Sequence, residues 1–184
     1  MGQKLKGIAA KLELSVALSE RTLGLREGVM QEHSIHRAQM EEIDEAYGLV
    51  REYYEEVGVV VREDRGQFEE QYFADGAGVW LAAVEGASVG CVGLRRLRTE
   101  PCCGEIKRMY VRAAHRSQGI AEALLGALEE YASNYGYEWL YLDTTDSMKA
   151  AVRFYQRNSY EACERYNENP QATLFMRKRM GASS

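Results

Sequence analysis

Apolar residues recur at three- and four-residue steps from Ile43 to Val57, which is the spacing of one buried face of an α-helix. Gly58 follows directly, where glycine commonly ends a helix. A second, shorter helix is predicted over residues 67–76, ending at Gly76. The domain therefore begins with helical structure.

Two apolar, partly β-branched runs follow, at residues 79–84 and 89–97, and the Glu-Gly-Ala-Ser stretch between them is typical of a hairpin turn. Residues 105–112 alternate, which predicts a third strand with Ile106, Arg108 and Tyr110 on one face.

A helix with a repeating apolar face then begins near Ile120 and should end at Gly136. The run 139–145 predicts a strand, the next helix reaches Tyr155, and residues 173–179 predict a last strand. Because strand, helix and strand alternate in the middle of the chain, we expect a parallel crossover there. The fold class is α/β, with a mixed sheet that is antiparallel in its N-terminal strands and parallel at its centre.

The chain has 184 residues, enough for one domain with a sizeable core. Residues 1–35 lack a clear period, so we expect an N-terminal extension of uncertain structure followed by a single domain over residues 36–184. A net charge of −5 disfavours nucleic acid as a partner. The sequence shows no membrane span and no secretory signal, so we expect a cytoplasmic protein.

The four cysteines are Cys91, Cys102, Cys103 and Cys163. Their spacing matches no metal site, so we expect no metal, and reduced thiols are the simplest interpretation. A thiol-redox protein that uses the adjacent Cys102 and Cys103 stays as a minor alternative.

The stretch HRSQGIAEALL, residues 115–125, leaves a strand and enters a helix. The predicted anion-binding turn consists of Arg116, Ser117, Gln118, Gly119, Ile120 and Ala121. Backbone N–H groups at the start of a helix lack intrahelical acceptors, and glycine allows close approach and a positive φ. A phosphate on an extended ligand fits this turn. The turn lacks the Lys-Ser/Thr of a P-loop and the three glycines of a dinucleotide fingerprint, so both of these nucleotide loops are excluded. An ordinary glycine-bearing turn that binds no anion is the remaining alternative.

These segments together resemble the GNAT family of N-acetyltransferases over roughly residues 36–180. The family's pyrophosphate loop, Gln/Arg-x-x-Gly-x-Gly/Ala, is matched by Arg116, Gly119 and Ala121. EIKRMYVR is similar to the family's fourth strand, WLYLDTT to its fifth, and MKAAVRFYQRNSYEAC to its next helix and the start of its sixth strand.

The resemblance implies helices on both faces of the sheet, a splayed parallel pair of strands, and acetyl-CoA as the cofactor. Its pantetheine arm would pair with the backbone of Met109, Tyr110 and Val111, and one N–H there would polarise the thioester carbonyl.

The resemblance also implies two catalytic residues. Tyr155 stands where the family commonly places the acid that protonates the leaving sulfur, with a core tyrosine as the alternative. Glu105 stands where many members carry a proposed base, with a solvated carboxylate as the alternative. Ser159 replaces a common glycine, which makes the placement of Tyr155 less certain.

We therefore expect an acetyl-CoA-dependent N-acetyltransferase that acts on an amine of a small molecule or protein by direct attack in a ternary complex. The alternative is an acyl-CoA-binding sensor of the same fold without transfer. The sequence leaves open the acceptor and the oligomeric state, a homodimer included.

Overall fold

A computed structural model describes residues 32–60, 62–97, 100 and 102–181. Residues 1–31, most of the expected extension, lie outside the described residues. The first strand crosses the boundary that we expected between residues 35 and 36, because residues 33–35 pair with a neighbouring strand.

The strands of the described chain are β1 His33–Arg37, β2 Gly78–Val84, β3 Ala87–Arg96, β4 Cys103–Val111, β5 Trp139–Thr144, β6 Glu161–Ala162 and β7 Leu174–Arg179. They form one sheet in the order β1-β2-β3-β4-β5-β7-β6. Strands β4 and β5 pair in parallel, and the other neighbours pair antiparallel. The predicted mixed sheet is confirmed.

The α-helices of the described chain are α1 Ile43–Val57, α2 Arg65–Tyr72, α3 Ile120–Tyr135 and α4 Lys149–Arg157. Gly58 ends α1 and Gly136 ends α3, both in the left-handed conformation, as predicted. Helix α2 begins earlier than predicted, because the side chain of Asp64 caps its first turn by accepting from the Gln67 N–H at 2.9 Å. It ends at Tyr72, before the predicted Gly76. In the part that the structure describes, no helix is long and apolar enough to cross a membrane.

The sheet carries a hydrophobic core on each face, so the helices lie on both sides of it. On one face, Leu124 and Leu128 of α3 pack with Leu94 of β3, and α4 contributes Phe154. On the other face, α1 and α2 pack together against β2, β3 and β4 in a second core. The central strands are therefore buried from both sides.

Strand β4 contains a bulge that changes which side chains share a face. Arg108 has a φ of +58°, and the pairing with β3 shifts register between Cys91 and Gly93. Ile106 therefore lies on the α3 face, whereas Tyr110 lies on the α1 face. The predicted common face of Ile106, Arg108 and Tyr110 is wrong, because the extra residue at the bulge shifts the alternation by one position.

Ser159 follows α4 with a φ of +68°, whereas the preceding Asn158 has a φ of −92°. The serine, and not the asparagine, therefore takes the left-handed position that favours glycine.

We expect Ser159→Gly to raise the free energy of unfolding by about 0.5 to 1 kcal/mol. This is the backbone strain that glycine relieves, reduced by the greater chain entropy of glycine in the unfolded state. Urea denaturation checks this.

Ser147→Gly is the control, because Ser147 has no positive φ and should gain nothing. An equal gain in both variants would contradict the strain assigned to Ser159.

Candidate functional site

The parallel pairing of β4 with β5 stops early in the described structure. It covers Cys103, Gly104 and Glu105 of β4, and Glu105 opposite Tyr141 is the last pair. Both strands continue beyond this point, so they diverge. We call the space between residues 106–111 of β4 and residues 142–144 of β5 the strand gap. Its closed end at Glu105 is the vertex.

The turn predicted to bind an anion lies beyond the open end of the strand gap. Ser117 and Gly119 have φ values of +62° and +81°. The N–H of Ala123 bonds back to the Gly119 carbonyl at 3.0 Å, so the N–H groups of the helix residues before it have no intrahelical acceptor. A Cβ built on Gly119 would meet nothing within 4 Å, so the space beside these N–H groups is open. These residues fit a diphosphate.

The side chain of Arg116 stabilises this turn. Its Nε donates to the Val111 carbonyl at 2.7 Å, and its guanidinium pairs with Glu56 of α1. Arg112 makes a similar pair with Glu52, one helical turn away. Because the pair with Glu56 is about half exposed, the Arg116 charge stays near the turn without being free.

The other turn residues differ in exposure. Ile120 is buried in the core and Ala121 packs against it, whereas Ser117 is exposed. The side-chain amide of Gln118 donates to the Ala114 carbonyl at 3.2 Å, and its Oε1 is buried without a partner among the described residues. The helix start is therefore anchored while its outer edge stays accessible.

Met109, Tyr110 and Val111 lie on the β4 side of the strand gap. Val111 pairs with Gly90 and Tyr110 with Cys91 of β3, so this stretch is held on one edge only. The other edge faces the strand gap and has no strand partner in the described structure. An extended ligand can therefore bond to this edge as an added strand does.

Glu105 lies at the vertex and is buried, with 1% of the residue exposed, so the solvated alternative is wrong. Arg95 donates to its Oε2 at 2.6 Å. Tyr166 and Asn167 donate to its Oε1 at 3.1 and 2.9 Å, and Lys107 Nζ lies 3.0 Å from the same oxygen. Burial alone would raise the pKa of Glu105, but the charges of Lys107 and Arg95 outweigh it and lower that pKa.

Lys107 joins the two strands where their backbones no longer pair. Its Nζ donates to both carboxylate oxygens of Asp143 on β5 at 2.8 Å. Asn167 and Asn169 also donate to Asp143, at 2.6 and 3.2 Å. Burial would raise the pKa of Asp143, and Lys107 and the two amides lower it instead. We call Arg95, Glu105, Lys107, Asp143 and Asn167 the vertex network.

Tyr155 lies in the core that α4 shares with α3, and 6% of it is exposed. Its ring packs edge-on against Phe154 and Tyr160, with centroids 5.1 and 5.4 Å away. Burial raises its pKa, and Tyr53 and Asp143 raise it further. The phenol of Tyr155 is therefore protonated at neutral pH.

Other polar and reactive side chains are less suited to chemistry. Tyr72 is fully buried in the core of the α1 face. Burial raises the pKa of Cys103 to about 12, which disfavours a reactive thiolate. Among the described residues, no group of three or more His, Cys, Asp or Glu is placed to hold a metal ion.

Sequence reasoning missed most of the vertex network. Glu105 and Lys107 are two residues apart on one strand, so their side chains share a face, and that signal was available. Arg95 and Asn167 come from distant parts of the chain. Asp143 directly follows the apolar residues of β5, and a charged residue at that position was a second available signal.

The family model of the acetyltransferase (GNAT) family matches residues 40–160. An uncharacterized N-acetyltransferase of Schizosaccharomyces pombe is 29% identical over 136 residues, which are 71% of this chain and 83% of that protein. The uncharacterized N-acetyltransferase YsnE of Bacillus subtilis is 34% identical over 106 residues, 55% of this chain and 68% of that protein.

Solved structures share the fold. An acetyltransferase of the GNAT family from Staphylococcus aureus Mu50 superposes with a TM-score of 0.71 at 20% identity, over 82% of this chain and all of that chain. An N-acetylglutamate synthase from Neisseria gonorrhoeae, complexed with coenzyme A and N-acetyl-glutamate, gives 0.66 at 19% identity, over 82% of this chain and 35% of that chain.

The vertex network predicts a large effect of Lys107→Met on stability. The change leaves the buried carboxylates of Glu105 and Asp143 with less compensating charge, so we expect it to lower the free energy of unfolding at pH 7 by about 3 to 5 kcal/mol. Because the folded-state pKa of each carboxyl is lowered, the wild type loses their stabilisation as the pH falls below their ordinary values of 4.5 and 3.8.

In Lys107→Met, protonation of these carboxyls instead relieves repulsion. The difference from wild type should therefore shrink between pH 5 and the acid limit of folding, as measured by urea denaturation. Lys149→Met, at an exposed lysine, is the control and should stay close to wild type. A difference that does not depend on pH would contradict the charge assignment.

Proposed function

Since the chain belongs to the acetyltransferase (GNAT) family, we propose that it is an N-acetyltransferase that transfers the acetyl group of acetyl-CoA to an amine of a small molecule or protein. The observation that carries this proposal is the strand gap, which leads from the vertex to a helix start with free N–H groups. A fixed anion site and an unpaired strand edge in line with each other suit a ligand that has a diphosphate and an extended amide arm.

The turn residues would hold the diphosphate. The N–H groups of Ile120 and Ala121 have no intrahelical acceptor, the space beside Gly119 is open, and Arg116 adds a positive charge. One helix terminus contributes only about 0.3 to 2 kcal/mol, so the free edge of residues 109–111 must supply further bonds along the pantetheine arm.

Bound acetyl-CoA supplies an acetyl group activated as a thioester. The β4 edge contributes a backbone N–H that meets the negative charge developing on the carbonyl oxygen as the amine attacks. Tyr155 donates its phenolic proton to the departing sulfur, for which its protonated state at neutral pH suits it. The attacking nitrogen releases its proton to water at the mouth of the strand gap, and the Tyr155 phenolate takes a proton back from water before the next turnover.

Glu105 has a different role in this proposal. A carboxylate that accepts from Arg95, Tyr166 and Asn167, and whose pKa is lowered, has little tendency to take a proton. We assign it to holding Lys107 at the vertex, where the ion pair of Lys107 with Asp143 fixes the distance between β4 and β5.

The deciding experiment is a panel of acceptor amines, with release of free coenzyme A as the signal. Acceptor-dependent release supports the transferase. Stoichiometric binding of acetyl-CoA with no release for any amine supports the acyl-CoA sensor instead.

The proposed anion site predicts that acetyl-CoA raises the melting temperature. Ligand at 100 times its dissociation constant adds about 2.7 kcal/mol of stability. Gly119→Val should abolish this response, because the added branches fill the open space beside the turn and resist a φ of +81°. Differential scanning fluorimetry measures the melting temperatures of the wild type and of Gly119→Val, with and without acetyl-CoA.

Gly136→Val is a matched control, since Gly136 ends the same helix with a φ of +97° and open space around it. It should lower the melting temperature of the free protein and keep the response to acetyl-CoA. NAD and ATP should produce no shift in the wild type. A full acetyl-CoA response in Gly119→Val would remove the turn from the binding site.

The proposed acid predicts a selective effect of Tyr155→Phe. The ring keeps its contacts with Phe154 and Tyr160, so stability and the KM for acetyl-CoA should change little. Loss of the proton donor should lower kcat by about 10²-fold or more. Single-turnover kinetics avoids masking by slow product release.

Tyr135→Phe is the control. It removes a hydroxyl that donates to Asp75 at the C-terminal end of α3, far from the proposed phosphate turn at the start of that helix, and the variant should keep full activity. Undiminished single-turnover rates in Tyr155→Phe would leave this tyrosine as a core residue.

A further inference from the structure

Arg108 is the one residue with a positive φ that lies inside a strand of the described chain. The other non-glycine residues with positive φ are Glu85, Ser117 and Ser159, and all three lie in turns. An arginine disfavours this conformation, which persists only where surrounding contacts hold it. Those contacts therefore control the shape of β4 at the strand gap.

The main contact is a buried ion pair with Glu63. Arg108 Nε donates to Glu63 Oε1 at 3.0 Å, and a terminal nitrogen of the guanidinium pairs with Oε2, so the interaction is bidentate. The two side chains are 13% and 7% exposed. The guanidinium also lies over the ring of Tyr54, 4.9 Å from its centroid.

Glu63 is itself fixed. It belongs to the segment between α1 and α2, and its carbonyl accepts from the Tyr47 hydroxyl at 3.0 Å. The next residue, Asp64, caps α2. Glu63 therefore gives Arg108 a rigid partner and not a mobile surface carboxylate.

The bulge also orients one peptide group. The carbonyl oxygen of Arg108 lies 3.4 Å from the Sγ of Cys91, on neighbouring β3. Because the peptide bond is trans, the N–H of Met109 points the opposite way, toward the side of the strand gap. A change in the φ of Arg108 would turn this N–H.

We propose that Glu63 and Arg108 form a clamp that holds the left-handed residue of β4 and thereby positions the Met109 N–H for the acetyl carbonyl. This role rests on the proposed function. Both are positioning residues, since they act through the backbone. The clamp also links the segment between the first two helices to the centre of the site, so displacement of that segment would change the donor geometry.

The test compares alanine with glycine at position 108, in a Glu63→Gln background that leaves no unpaired buried carboxylate. Glycine adopts a positive φ without strain, whereas alanine keeps the strain and lacks the clamp. We expect Glu63→Gln/Arg108→Gly to melt at a higher temperature than Glu63→Gln/Arg108→Ala. At an ordinary strand position the order would be the reverse, because glycine destabilises a strand relative to alanine.

The same two double variants should also differ in kcat. We expect Glu63→Gln/Arg108→Ala to lower kcat by about ten- to a hundredfold, with the KM for acetyl-CoA nearly unchanged, and the glycine variant to recover most of that loss. Glu161→Gln, which breaks an exposed pair with Arg177 on the far edge of the sheet, should behave like wild type.

Two results would overturn the clamp: a melting temperature of the alanine variant equal to or above that of the glycine variant, or equal losses of kcat in both with a raised KM for the acceptor. The second would make Arg108 a substrate contact. A wild type without acetyl-CoA-dependent turnover would refute the proposed function alone, because the melting comparison needs no activity.

Discussion

The structure depends on the incomplete backbone pairing of its two central parallel strands. Strands β4 and β5 are the central parallel pair, and they share three residue pairs before they separate at Glu105. Backbone N–H and C=O groups in the middle of a protein require partners, so a gap in a central sheet is costly unless something else bonds there. The exposed edge of residues 106–111 is therefore both a weakness of the free protein and the basis of its proposed binding site.

The charges around the vertex are best understood as the response to that gap. Lys107 and Asp143 occupy the positions of the second residue pair beyond Glu105, and the ion pair between their side chains joins the strands where backbone pairing has stopped. The cost of burying these charges is offset because each carboxylate accepts several donors, including amides from the segment before β7. The splay of the strands and the buried network thus form one arrangement, in which each requires the other.

Local pattern predicted the parts of the fold whose causes are local. The apolar spacing of α1 and α3, their terminal glycines and the positive φ of Gly119 follow from neighbouring residues, and the structure has them. The bulge at Arg108 was not predictable, because a non-glycine residue takes that conformation only through contacts with Glu63, 45 residues away. The burial of Glu105 was not predictable for the same reason, since Arg95 and Asn167 come from other elements. Residues 33–35 lacked a pattern because β1 is a short edge strand, exposed at several positions.

Helix α3 connects the proposed phosphate turn to the core, and glycines in the left-handed conformation bound it at both ends. Its length is thereby set at 16 residues, from Ile120 to Tyr135. One residue inserted within it would rotate everything beyond by about 100°, taking Leu124 and Leu128 off the sheet or else turning the helix start away from the strand gap. The angular phase of this helix is thus common to the hydrophobic core and the turn, and a change of chain length here cannot satisfy one without disturbing the other.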